Sequence, residues 1–201
     1  MQKKDIATFC PASQKDWRQW LVDNHQSKQA VGLIFYKKKS GMPTISWSHA
    51  VDEALCFGWI DSKKIALDQD KFMQFFTQRK PNGTWSKVNK EKIKHLIGKG
   101  LMTPAGFASI DRAKQNGSWT ILDEVEKLII PLDLAKEFET KKGSQDFFLR
   151  LSKSVRKALL QRLAVAKLPV TRQKRMAEIA DLVSQKLETE KLDKPSQLKR
   201  K

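Results

Sequence analysis

The sequence predicts an α+β fold: a small, mostly antiparallel sheet flanked by helices, followed by a C-terminal basic α-helical module. Three observations predict it. Between residues 46 and 80 the apolar period drops from about 3.6 to 2, the mark of a helix followed by strands. After residue 134 no strand pattern recurs. Charge also shifts along the chain: residues 141–201 carry 17 Lys/Arg against 6 Asp/Glu, and residues 1–140 carry 22 against 16. The expected organisation is an α+β domain over 1–117, a packed connector over 118–133, an α-helical module over 134–187 and a disordered tail over 188–201.

Ser13 precedes a helix at about 14–25, with Trp17, Trp20, Leu21 and His25 on one face. Val31 to Tyr36 is a continuous apolar run, short enough for a central strand. Ser46 caps a helix in which Trp47, Ala50, Val51, Ala54 and Leu55 share one face. Gly58 sits where a left-handed residue ends it. Trp59 to Leu67 and Phe72 to Thr77 then read as strands joined by the turn Asp68-Gln69-Asp70.

Arg79 to Gly83 form a loop, and Ser86 caps a helix at about 87–98 with Val88, Ile93, Leu96 and Ile97 as its apolar face. Thr103-Pro104 starts another, an N-cap followed by proline at the first helical position. Phe107, Ala108, Ile110 and Ala113 continue it until Asn116-Gly117. The connector holds Trp119, Leu122, Leu128 and Pro131, apolar enough to pack down. Beyond it, Asp133 is expected to cap a helix over 134–141, and Phe147, Phe148 and Leu151 mark a helix over 144–151. Ser152 or Ser154 caps a helix to about 167 with Val155, Leu159, Leu163 and Ala166 inward. Pro169 is expected to break that helix and Thr171 to cap the last one, to about 187.

EALCFGWIDS at 53–62, FTQRK at 76–80 and WSKVN at 85–89 resemble the YdeI/OmpD-associated, or bacteriocin-protection, family. Ser152, Ala166, Lys167, Thr171, Arg172 and Arg175 match the basic helical pattern of the same family. The resemblance covers roughly 14–187 and implies a link to bacteriocin or antimicrobial-peptide resistance. Its pattern has an acidic residue where this chain has His49, which removes one half of a capping box.

Composition excludes several classes. The 40% hydrophobic content can fill a core, so wholesale disorder is not expected. No window approaches a membrane span, and the N-terminus lacks an apolar signal core, so the expectation is a soluble cytoplasmic protein. Cys10 and Cys56 make no disulfide framework. His25, His49 and His95 lack metal-ligand spacing, so no metal is expected. No phosphate-binding glycine loop and no G-x-S-x-G is present, so neither a cofactor nor a catalytic residue is expected.

A net charge of +17 points instead to an anionic ligand or surface as partner: a phosphate-bearing small molecule, nucleic acid or an anionic protein. The first candidate site is the hairpin end, where Trp59, Asp61, Ser62 and Lys63 on one strand come near Arg79 and Lys80 on the other, with Trp85 close behind. A guanidinium beside an indole suits a phosphate or carboxylate. The competing reading pairs Arg79 with Asp61 and leaves both tryptophans as core. An enzyme on a small anionic substrate at Asp61, Arg79 and Trp85 is a further alternative. The second candidate is a phosphate-tracking helical surface for non-specific nucleic-acid binding, formed by Arg156, Arg162, Lys167, Arg172, Lys174 and Arg175; a plain solvated face competes with it.

Overall fold

The computed structural model of the protein describes residues 6–193. These divide into two compact units, with the boundary after Thr120.

In the first unit a four-stranded sheet runs in the order β1-β2-β4-β3, from Thr8–Phe9 (β1), Ala30–Tyr36 (β2), Trp59–Ala66 (β3) and Lys71–Gln78 (β4). Only β1 lies parallel to its neighbour; two residues carry no period, so the sequence does not announce it. Register places Val31, Leu33 and Phe35 opposite Phe76, Gln74 and Phe72, and this face is buried. Helices α1 (Gln14–Asn24) and α2 (Trp47–Cys56) supply Trp17, Leu21, Ala50, Val51, Ala54 and Leu55 to the same core. Trp17 stacks on Trp20 with centroids 5.2 Å apart and meets Phe76 at 5.4 Å. Aromatic contacts of this kind add about 0.5–1.5 kcal/mol beyond the area they bury.

Local rules explain the helix ends. The hydroxyls of Ser13, Ser46, Ser86 and Thr103 each accept from the backbone N–H three residues on, starting α1, α2, α3 (Lys87–Gly98) and α4 (Pro104–Gln115). Gly58 takes φ +73 past the end of α2. α4 is bound tightly to that end: Thr103 donates from both Oγ1 (2.7 Å) and backbone N (3.1 Å) to the Cys56 carbonyl. A Cβ on Gly106 would lie 2.2 Å from that same carbonyl oxygen, so only glycine fits.

Several expected core positions face solvent. Trp47, Val88, Ile97 and Phe107 are exposed, because first-turn and helix-end positions escape the packed stripe, leaving Ile93, Leu96, Ile110 and Ala113 inside.

Among its described residues the second unit is all helical: α5 (Asp123–Glu126), α6 (Leu132–Glu139), α7 (Ser144–Arg150), α8 (Lys153–Ala164) and α9 (Pro169–Asp193). Ile179, Ala180 and Val183 of α9 form its core with Leu122, Val125, Leu134, Phe138, Phe148, Leu160 and Leu163. The segment expected as a connector therefore contributes core to this unit. Leu160 is buried while Val155 is exposed, so the inward stripe of α8 is rotated from the expected one. Pro169 opens α9 rather than breaking a helix, since a first-turn position needs no N–H, and Thr171 lies inside the helix. Asp133 lies inside α6, which Pro131 precedes as N-cap. The last helix runs past 187 to Asp193, which leaves only residues 194–201 of the expected tail outside the described residues.

Candidate functional site

A cleft of about 310 Å³ opens where the β3–β4 hairpin meets α4. Gly58 and Trp59 at the start of β3, Gln78 and Arg79 at the end of β4, and His25 and Gln26 after α1 line one side. Ala105, Ala108, Ser109 and Arg112 line the other at i, i+3, i+4 and i+7, a single face of α4. No carboxylate and no thiol is among these lining residues.

Arg79 is fixed at several points. Its backbone N–H donates to the Gly58 carbonyl at 2.9 Å, and its Nη1 donates to the Thr84 carbonyl at 3.2 Å. Its guanidinium carbon sits 3.5 Å from the centroid of the buried Trp85 ring, a close cation–π contact. Trp85 in turn meets Trp119 at 5.0 Å. The loop between is pinned by Asn116, whose Nδ2 donates to the Pro81 carbonyl at 2.8 Å.

The other two nitrogens of that guanidinium, Nε and Nη2, are buried and have no hydrogen-bond partner. They form the edge that binds two oxygens of one oxyanion in parallel. No carboxylate of the described residues pairs with them; Asp61 acts on Arg79 only at longer range. Burial pushes the Arg79 guanidinium down to about 10, and the Asp61 charge only partly offsets it.

Most neutral donors around the cleft are already used, Gln26 being the exception. Trp59 Nε1 donates to the His25 carbonyl at 3.3 Å, and Gln78 Nε2 donates to the same oxygen at 2.7 Å and to the Lys28 carbonyl at 3.0 Å. Ser109 Oγ donates to the Gly106 carbonyl at 2.8 Å. His25 Nδ1 lies 2.8 Å from the Leu21 carbonyl, which can only accept, so this nitrogen carries the proton.

The residues expected at the hairpin end are thus divided. Trp59 and Arg79 share the cleft, with Trp85 behind Arg79. Asp61 and Ser62 instead line a second cleft of about 380 Å³ with Trp47, Lys64, Phe72 and Gln74. Trp47 Nε1 donates to Asp61 Oδ2 at 3.1 Å, and Gln74 Nε2 donates to the Ser62 carbonyl at 2.7 Å. A β-bulge between Asp61 and Lys64 shifts the register there. Lys63 and Lys80 are exposed and line neither cleft. The expected Asp61–Arg79 ion pair is absent among the described residues, because the carboxylate is held by the Trp47 indole. Arg112, Ser109 and His25 in the cleft are not singled out as site residues by sequence reasoning. Their i+3/i+4/i+7 stripe of small residues ending in arginine is visible in the sequence, but the partner it faces is not.

In the helical unit half of the expected basic surface, three residues of six, is paired internally. Arg172 Nε and Nη2 donate to the two oxygens of Asp133 at 2.6 and 3.0 Å. Arg162 pairs with Glu178, and Arg175 donates to the Arg162 carbonyl. Arg156 is half-buried with a partnerless Nε. Lys167 and Lys174 are exposed.

Among the described residues no helix is long and apolar enough to cross a membrane, and no group of three or more His, Cys, Asp or Glu is placed to hold a metal ion. Residues 9–109 match a family model described as a domain of unknown function (DUF8412), and residues 127–186 match one described as bacteriocin-protection, YdeI or OmpD-associated. No curated protein and no solved structure matches the chain. The resemblance read from the sequence over 14–187 therefore resolves into two domains, with the YdeI/OmpD-associated match on the helical one. The chain belongs to the family of the domain of unknown function (DUF8412), which covers half of its length, and carries a bacteriocin-protection, YdeI or OmpD-associated domain in its C-terminal part.

Proposed function

We propose that this protein is a non-catalytic oxyanion-binding protein of the YdeI/OmpD-associated type, and that the ligand's phosphate or carboxylate seats on Arg79 in the cleft between the hairpin and α4. One observation carries the reading: Arg79, a lining residue of that cleft, has a buried guanidinium edge with two partnerless nitrogens. Leaving a buried charged donor unsatisfied costs on the order of 1–3 kcal/mol or more, so such an edge is retained where something else fills it. Among the seven residues expected to bind the anion, Arg79 takes the oxyanion, Trp85 supports it and Trp59 forms the wall. Asp61, Ser62, Lys63 and Lys80 tune the surrounding field.

The link to bacteriocin protection then runs through an anionic partner. A chain at +17 repels cationic peptides, so direct capture of such a peptide is not part of the reading. The free thiols of Cys10 and Cys56 suit a reducing compartment such as the cytoplasm.

The test is a titration of the full chain with inorganic phosphate and with acetate, followed by amide NMR. Saturable shifts at Gly58, Arg79 and Arg112 are expected, and Arg79→Met should weaken binding by about 100-fold, the loss of roughly two charge-assisted hydrogen bonds. Absence of saturable binding by either anion, or binding that survives Arg79→Met unchanged, overturns the reading.

A further inference from the structure

We infer that the ligand of this cleft is a small organic dianion, with one oxyanion on Arg79 and a second negative group on Arg112. The inference rests on the reading of Arg79 above and goes on to name the ligand class.

The cleft is too large for a lone inorganic ion. About 310 Å³ lies at the lower end of small-molecule pockets, enough for a metabolite of a few carbons. Its walls fit such a body: Phe57, Trp59, Ala105 and Ala108 are apolar, and the alanines let a ligand lie close along α4.

Donor accounting says what the ends of that body must be. Trp59, Gln78, Ser109 and His25 have spent their assigned protons on backbone carbonyls. Among the neutral lining side chains only Gln26 keeps a donor without an assigned partner. The guanidiniums of Arg79 and Arg112 remain, and among the described residues neither is paired with a carboxylate. Arg112 stands at the exposed rim, two turns along α4 from Ala105, about 10 Å by helical rise. Two cations lining a cleft with apolar walls and no carboxylate match a molecule that carries two negative groups. Dicarboxylates and phosphate esters bearing a carboxylate share that chemistry.

Isothermal titration of the full chain with butyrate, succinate and 3-phosphoglycerate tests this. Both dianionic probes should bind at least tenfold more tightly than butyrate. In Arg112→Gln that advantage should collapse to within about threefold, because the dianions lose more affinity than butyrate does, and Arg112→Lys should restore part of it. Preference for 3-phosphoglycerate over succinate would assign the Arg79 end to phosphate, and the reverse to carboxylate; either supports the inference. Equal affinity for butyrate and the dianions, or an advantage that persists in Arg112→Gln, overturns it while leaving the Arg79 reading standing. Binding of no anion at all overturns both. Because Arg112 is exposed, its variants should keep the wild-type unfolding temperature, which separates lost recognition from lost fold.

Discussion

Arg79 and Arg172 present the same chemical edge in opposite states. Nε and Nη2 of Arg172 are both donated to Asp133, while the same two nitrogens of Arg79 have no partner. The electrostatic consequences also oppose each other. The hydrogen bond with Asp133 raises the Arg172 guanidinium and lowers the Asp133 carboxyl, whereas burial lowers Arg79 to about 10. Positive charge in a sequence therefore does not by itself mark a binding surface. The helical unit answers much of its charge internally, through Arg172–Asp133, Arg162–Glu178, Lys157–Glu126 and Lys141–Asp181. In the first unit Arg79 keeps a buried edge unanswered.

The largest expected effect comes from the joint that shapes the unanswered side. Gly106→Ala puts a methyl group 2.2 Å from the Cys56 carbonyl, and backbone cannot swing aside as a side chain can. α4 must move off α2, at a cost of about 3 kcal/mol to the first unit and with loss of anion binding. Hydrogen exchange should show faster opening in residues 47–115 and no change in 123–193. Uniform loosening of both units would show that they do not unfold separately.

Opening the answered edge comes next. Asp133→Ala leaves Arg172 unpaired, but both side chains are partly exposed, so water recovers part of the loss. The expected destabilisation of α6 and α9 is about 1–2 kcal/mol, read as a lower denaturant midpoint. A neutral result would mean that the fork is already well solvated.

Removing the unanswered charge has the opposite sign. Arg79→Met keeps contact with the Trp85 ring through a polarisable thioether and removes a buried cation that no protein group neutralises. Without ligand the first unit should gain about 1 kcal/mol while losing its anion affinity, a trade of stability against function. A drop in unfolding temperature would mean that stacking on Trp85 outweighs the burial penalty, and the contrast between the two arginines would weaken accordingly.

Which of these features can be read in advance depends on how local they are. The caps at Ser13, Ser46, Ser86, Thr103 and Ser152 each need only a hydroxyl and an N–H three residues away, so the sequence displays them. Gly58 and the Asp68 turn are equally local; Asp68 Oδ1 accepts from the backbone N–H of Asp70 and Lys71. The rotation of α8 that buries Leu160 is set by α9, and apolar residues adjacent at 159 and 160 leave the phase open. The site is half legible for the same reason. Arg79 beside Trp85 lies within seven residues of chain, but Arg112 reaches the cleft only because Gly58 and Gly106 allow α4 to close on the end of α2. That approach is a property of two glycines 48 positions apart, and no periodicity reports it.

The smallest effect distinguishes the two edges by pH. Asp133 has its folded-state carboxyl lowered, first by the Arg172 hydrogen bond and then by further contacts that outweigh its desolvation. Its contribution is therefore complete above the unfolded carboxyl value of about 3.9 and disappears as pH falls through the lower folded value. Arg79 has the reverse sign at the other end of the scale. Its burial penalty is present throughout the range below about 10 and is relieved only as pH rises above that value. As pH falls from 7 through the lowered Asp133 value, then, the Arg172 edge changes state and the Arg79 edge does not. Subtracting the stability of Asp133→Asn from that of wild type cancels the other carboxylates. The difference should be about 0.5–1 kcal/mol at pH 7, after allowance for exposure of the pair, and should shrink as pH falls below about 3.9. The corresponding difference between wild type and Arg79→Met should stay constant over the same interval. A difference for Arg79→Met that varies in parallel with the Asp133 curve would mean that a carboxylate, with Asp61 the nearest candidate, answers Arg79 after all, and the two arginines would then differ in degree and not in kind.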